Sequence, residues 1–204
     1  MLRESRLYVI IDRSIFKKQP IENFANTIQQ SGVSLIQYRN KTQDKETVLA
    51  EALGIKKALD NKGALFIVND YLDVAKIVDA DGLHIGQSDV SLGLARKILG
   101  EEKIIGISCR TLKQAILAQG LGADYVGIGP IFPTCLKPEA KPIGLDILKE
   151  LRRRLNIPFF AIGGINTQNL SKVISCGAKR VAVCRAALQR KNVSTAVREL
   201  LCQF

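Results

Sequence analysis

A chain of 204 residues, 47% apolar and 24% charged, is sized for a single domain over residues 1–204 with a substantial core. Five cysteines without C-x-x-C spacing argue against a disulfide framework or a zinc site, and one histidine excludes a multi-histidine metal centre. The net charge of +11 is scattered (Lys17-Lys18, Lys56-Lys57, Arg152-Arg153-Arg154, Arg190-Lys191), and 5% aromatics with no Trp leave little to stack bases, so phosphorylated small molecules are expected as partners rather than nucleic acid.

The first six residues run straight into an apolar segment, 7–11 (LYVII), which leaves no room for a signal peptide. No apolar stretch is long enough to span a bilayer, so no membrane association and a cytoplasmic location are expected. Further short β-branched runs follow at 34–38 (SLIQY), 65–68 (LFIV), 82–85 (GLHI), 104–107 (IIGI), 125–128 (YVGI), 159–162 (FFAI) and 180–183 (RVAV). Between them lies helical periodicity, as at 47–60, 145–155 and 170–174. Near-continuous apolar runs mark parallel strands buried on both faces. Eight such strands alternating with helices predict an α/β fold, a single (β/α)8 TIM barrel. A doubly wound sheet is the alternative, but it rarely uses eight such regular units.

A barrel gathers whatever follows its strands onto one rim, where active sites are built. Asp12, Gln37, Asn69, Gln87, Ser108, Gly129, Gly163 and Cys184 all fall at or just beyond a strand end. Asn69, Asp70 and Asp89 offer two carboxylates and an amide from neighbouring loops, a donor set suited to a hard cation such as Mg2+. Read locally, the same residues are N-caps of the next helices. Arg39 and Lys41 form a diphosphate clamp, a planar fork beside a point charge, or else a solvated loop pair. After 122–134 (GADYVGIGPIFPT), Thr134 and Lys137 bring a hydroxyl and a cation to one glycine-rich loop suited to phosphate. Gly163-Gly164 reads equally as a phosphate cradle or a tight turn. His84, flanked by Leu83 and Ile85, reads as a packed barrel residue, and Cys109 and Cys135 as small space-fillers.

The ordered motifs QYRNK (37–41), ND (69–70), ADGLHIGQSD (80–89), IGIS (105–108), GADYVGIGPIFPT (122–134), AIGGI (161–165) and GAKRVAV (177–183) resemble the thiamine-phosphate synthase (thiamine-phosphate pyrophosphorylase) family over nearly the whole chain. The resemblance implies a magnesium-dependent transferase of thiamine biosynthesis. It joins 4-amino-2-methyl-5-hydroxymethylpyrimidine diphosphate to a thiazole phosphate, releases diphosphate, and leaves room for a homo-oligomer. It implies that Gln37, Arg39, Lys41 and Asn69 hold the pyrimidine diphosphate, that Asp70 and Asp89 bind Mg2+, and that Ser108 and Lys137 touch the diphosphate side. Ser108 could equally meet the pyrimidine, and Thr134 and Gly164, with backbone near Val183 and Cys184, would hold the thiazole phosphate. Arg39, Lys41 and Lys137 would neutralise the leaving group. The pattern departs at Leu136, where the family usually carries a hydroxyl, at Arg185, where it commonly has serine, and at Tyr38, where leucine is frequent. A non-catalytic phosphate-binding relative and a thiazole tautomerase are the alternatives, though the tautomerase branch uses a histidine where this chain has Arg110.

Overall fold

In the computed structural model, which describes residues 1–15 and 20–204, eight parallel strands close into a barrel in chain order. The Lys17-Lys18 pair lies outside the described residues. The strands are β1 (Leu7–Asp12), β2 (Leu35–Arg39), β3 (Leu65–Asn69), β4 (Gly82–Ile85), β5 (Ile104–Cys109), β6 (Tyr125–Ile128), β7 (Phe159–Ile162) and β8 (Val181–Val183), with β8 pairing back onto β1. The outer ring is α1 (Ile21–Gln30), α2 (Lys45–Leu59), α3 (Leu72–Ile77), α4 (Leu92–Leu99), α5 (Leu112–Gly120), α6 (Ile147–Arg154), α7 (Leu170–Ser175), α8 (Arg185–Leu188) and α9 (Val193–Leu201). The expected TIM barrel is the fold. All eight anticipated strands form, and β1, β2, β3 and β5 run one or two residues further than the apolar runs suggest. Asp12, Arg39, Asn69 and Ser108 therefore sit within strands rather than in loops.

Alternation along each strand explains the two cores. On β1, Leu7, Val9 and Ile11 face outward to the helices, while Tyr8 and Ile10 face inward with Leu35, Ile67, Tyr125, Phe160 and Ala182. Inside the barrel Tyr8, Tyr125 and Phe160 meet edge to face, with ring centroids 5.2 to 5.8 Å apart. Gly106 of β5 has no side chain because the Tyr125 ring already fills that space.

The helices start on local caps. Asp44 accepts from the Thr47 N–H and Ser91 from the Leu94 N–H, and Thr111 forms a capping box with Gln114. On the face opposite the rim, two carboxylates tie neighbouring strands together. Asp81, just before β4, accepts from the Phe66 N–H of β3 at 2.7 Å, and Asp124, just before β6, accepts from the Ile105 N–H of β5 at 2.7 Å. These motif aspartates are structural. Among the described residues no helix is long and apolar enough to cross a membrane.

Candidate active site at the barrel rim

Strands β2 to β5 place one charged arc of the rim. Gln37 and Asn69 are buried near the ends of β2 and β3. Asp70 follows immediately, in the left-handed region at φ 65°, and its carboxylate meets Lys41 Nζ at 2.7 Å. Asp89, after β4, accepts from the Gly86 N–H at 2.6 Å. A Cβ on Gly86 would lie 2.9 Å from Asp89 Oδ2, so glycine is what lets the carboxylate fold back onto the chain. Neither aspartate caps a helix. Tyr71 occupies the cap position of α3 without a side-chain bond, and Ser91 caps α4. The capping reading of Asp70 and Asp89 is thus set aside.

The two carboxylates lie close enough to shift each other's titration. Burial pushes Asp70 up; Lys41 opposes the shift and Asp89 adds to it. Burial also acts upward on Asp89, but its bond from Gly86 and its neighbours Asp70 and Lys41 outweigh it, and the net shift is downward. The pair shares one cation already in Lys41. Two hard oxygen donors from adjacent strand ends also fit a magnesium ion, which takes its remaining ligands from water and phosphate. Among the described residues no group of three or more His, Cys, Asp or Glu is placed to hold a metal without such help.

Opposite the carboxylates stand the cations. Arg39 is not a solvated loop residue. It is the register partner of Asp12 on β1, and its Nη1 pairs with the buried Asp12 Oδ2, whose other oxygen accepts from the Ser14 N–H at 3.0 Å and Oγ–H at 2.7 Å. Lys137, exposed in the loop after β6, makes no ion pair with the described residues. Partial desolvation lowers its pKa, and Arg39 and Lys41 nearby lower it further. Three cations therefore converge where only Arg39 and Lys41 have carboxylate partners, an arrangement that invites a multiply charged anion. Tyr38 points away from the barrel interior and donates to Glu51 Oε2 at 2.5 Å, while Arg13 Nε lies 3.0 Å from Glu51 Oε1.

The second arc comprises β6 to β8. The loop after β6 is zipped to β7 by the Ile131 N–H to Ile162 O (2.8 Å) and the Phe132 N–H to Gly163 O (3.0 Å). Gly163 and Gly164 adopt φ 100° and 65°, and a Cβ on Gly164 would meet Phe132 Cβ at 2.7 Å and Pro133 O at 2.5 Å. That approach sets Phe132 and Pro133, the two residues before Thr134, against Gly164. Ile162 pairs with Ala182 in register, so Val183 ends the neighbouring strand and Cys184 follows it at the start of α8. The Leu136 N–H reaches Thr134 Oγ1 at 3.4 Å. Arg185 donates from Nε to Gln189 Oε1 at 2.6 Å along α8.

The inventory lacks a poised base. Burial lowers His84 to about 4, with Lys137 assisting, and raises the Cys109 and Cys184 thiols to about 12. Reading the sequence for rim residues missed what lies beneath them. Gln37 Nε2 donates to Tyr8 Oη at 2.7 Å, Tyr8 Oη lies 2.8 Å from Tyr125 Oη, Tyr125 Oη lies 3.0 Å from His84 Nδ1, and His84 Nε2 lies 2.9 Å from Ser108 Oγ. The available signal was a tyrosine at an inward position of each of β1 and β6, with a glycine, Gly106, opposite the second. Above them Gln87 Nε2 donates to Ser108 O at 2.7 Å and ties the loop after β4 to β5.

Comparison with known proteins agrees with this fold. The family model for thiamine monophosphate synthase matches residues 7–187. A thiamine-phosphate synthase of Shouchella clausii is 40% identical over 201 residues, spanning 98% of this chain and 96% of its own length. One from Methanocella arvoryzae is 42% identical over 195 residues, spanning 95% and 92%. The solved thiamine phosphate pyrophosphorylase of Pyrococcus furiosus superposes with a TM-score of 0.88 at 34% identity, covering 97% of this chain and 94% of that one.

Proposed function

The chain belongs to the thiamine monophosphate synthase family, and from that premise we propose how its rim carries out thiamine-phosphate synthesis. The activity is a transfer: the exocyclic methylene carbon of a pyrimidine diphosphate loses its C–O bond and gains a C–N bond to the thiazole nitrogen. Diphosphate departs with the electron pair of the broken bond. The nucleophile is a nitrogen lone pair, so nothing has to be deprotonated to start the reaction. That matches a site whose histidine is buried and neutral and whose buried thiols stay protonated.

What the reaction needs is charge stabilisation on the leaving group and two substrates held in line. Lys137, Lys41 and Arg39 are assigned to the diphosphate, with Lys137 the most available because no carboxylate of the described residues holds it. Asp70 and Asp89 would hold Mg2+, which when bound supplies Lewis-acid stabilisation to the diphosphate oxygens. Asn69, Gln37 and Ser108 orient the pyrimidine side. Thr134, Gly164 and the backbone at Val183 and Cys184 receive the thiazole phosphate. Small, water-soluble substrates support a cytoplasmic setting.

The observation that carries the metal assignment is the carboxylate pair that caps no helix and faces three cations. The test is turnover of both substrates by purified protein, with thiamine phosphate read as its fluorescent oxidation product while Mg2+ is titrated from zero. Product formation that saturates with Mg2+ is expected. Full activity in excess chelator would remove the metal from the assignment.

A further inference from the structure

The five polar groups running through the barrel interior can be ordered by counting protons. Gln37 Nε2 faces Tyr8 Oη and can only donate. The Tyr8 hydroxyl, having accepted, has one proton left and one remaining partner, Tyr125 Oη at 2.8 Å. Tyr125 Oη in turn has one proton left and one remaining partner, His84 Nδ1 at 3.0 Å. Three gaps take three protons, one each from Gln37, Tyr8 and Tyr125. A proton on Nδ1 would be a fourth, leaving one buried donor with nowhere to go, a cost of about 1–3 kcal/mol. His84 Nδ1 is therefore an acceptor. The neutral ring then carries its proton on Nε2, which donates to Ser108 Oγ at 2.9 Å. Ser108 Oγ accepts, and its own proton is taken by no group among the described residues.

We propose that Tyr8, Tyr125 and His84 are positioning residues, forming a one-way hydrogen-bond relay from Gln37 to Ser108 that leaves the Ser108 hydroxyl proton for the substrate. The same order turns the Gln37 amide so that its Oε1 is left as an acceptor, taken by no protein donor among the described residues. The two ends are coupled. If Gln37 turned its oxygen to Tyr8, every link would reverse and Ser108 would spend its proton on His84. A ligand held between β2 and β5 thus meets an acceptor at Gln37 and a donor at Ser108. That polarity suits an aminopyrimidine diphosphate, which offers an amine N–H together with ring-nitrogen and phosphate acceptors. The assignment of ligand rests on the function proposed above, whereas the relay itself rests only on the barrel interior.

Because the chain has one histidine, isotope labelling of histidine gives a single imidazole whose two nitrogen resonances report which one is protonated. In the unaltered protein at neutral pH the proton is expected on Nε2. Gln37→Glu puts an acceptor-only carboxylate beside Tyr8, so every link reverses and Nδ1 gains a proton two tyrosines away. Adding Tyr125→Phe, the link that both Tyr8 and the Gln37 side chain reach, cuts the relay and returns His84 to the Nε2 form. Nδ1 protonation in the unaltered protein overturns the relay, as does an unmoved proton in Gln37→Glu. Persistence of the Nδ1 proton in the double variant also overturns it, since the charge would then act through space. If Gln37→Glu does not fold, Ser108→Ala decides: removing the partner of Nε2 leaves the proton there if the relay sets it, and moves it to Nδ1 if Ser108 does. Turnover is read on the same samples. Tyr8→Phe should raise KM for the pyrimidine diphosphate about threefold to tenfold and leave that for the thiazole phosphate unchanged. Protons that move as stated in a protein that makes no thiamine phosphate uphold the relay and sink the functional reading, while product without the proton shifts does the reverse.

Discussion

Replacing Arg39 with alanine tests a residue with two duties. Its guanidinium faces the proposed diphosphate site, yet it also neutralises Asp12, only 1% exposed at the end of β1. Removing one partner of a buried ion pair costs about 3–5 kcal/mol, because the remaining charge stays buried. Here the cost should fall near 3 kcal/mol. Asp12 keeps its two bonds from Ser14, and Arg39 is 19% exposed, so water reaches the vacated position. In a chain of this length about 2–4 °C is lost per kcal/mol, so Arg39→Ala should melt roughly 6–12 °C lower. Arg39→Ala combined with Asp12→Asn removes the stranded charge and should recover most of that loss, while turnover stays low because the diphosphate has lost its fork. Thermal unfolding beside steady-state kinetics on the four proteins of this cycle separates the two duties. Melting of Arg39→Ala within about 2 °C of the parent would refute the stabilising role, and recovery of turnover in the double variant would refute the catalytic one.

Asp70→Asn should lower turnover by roughly a hundredfold to a thousandfold and leave the melting temperature unchanged or higher, since asparagine tolerates the left-handed backbone and the repulsion with Asp89 is relieved; calorimetric titration with Mg2+ should show the binding lost. Lys137→Ala should cost about a hundredfold in kcat/KM for the pyrimidine diphosphate and little for the thiazole phosphate, and an equal loss for both would contradict its placement. Arg185→Ser should change the thiazole phosphate KM by less than about twofold, because the guanidinium lies along α8 on Gln189; Leu136→Thr should lower that KM about threefold, a typical value for one added hydrogen bond. His84 has its pKa lowered from 6.5 to about 4 by burial. As pH falls below 6.5 the unfolded chain takes up a proton that the buried ring refuses, so up to ~3 kcal/mol of stability is lost between pH 6.5 and about 4. Denaturant unfolding across that window should be flatter for His84→Gln by that amount. Gly106→Ala forces a Cβ into the Tyr125 ring and should cost about 2–4 kcal/mol, measured the same way.

The barrel was legible because each strand is buried on both faces and so reads as an unbroken apolar run, and because the chain repeats that pattern eight times. The rim was legible for the same reason, as polar residues at the ends of such runs have only one place to go. Local spacing failed where a second element decides. Asp70 and Asp89 are spaced as well for caps as for a metal, and it is Ser91 taking the α4 cap, with Tyr71 at the α3 position, that removes the cap reading. Arg39 looks solvated until the register of β1 and β2 sets it against Asp12. The bond between Tyr8 and Tyr125 joins residues 117 positions apart. It exists only once the barrel closes, and no periodicity in either strand announces it.

Thr134 and Lys137 are carried by one loop whose base is clamped by the Ile143 N–H to Pro130 O at 2.8 Å and the two bonds to β7. Thr134 is assigned above to the arc of β6 to β8, and Lys137 lies near Arg39, Lys41 and Asp70 of the other arc. Three positions of chain separate them, so a ligand that immobilises one shortens the leash on the other. Whichever substrate arrives first bears most of the entropy of ordering this loop, and the second finds it already set. On the assignment proposed above, the two halves of the rim should fill synergistically, with the tighter binding of either partner showing only when the other is in place.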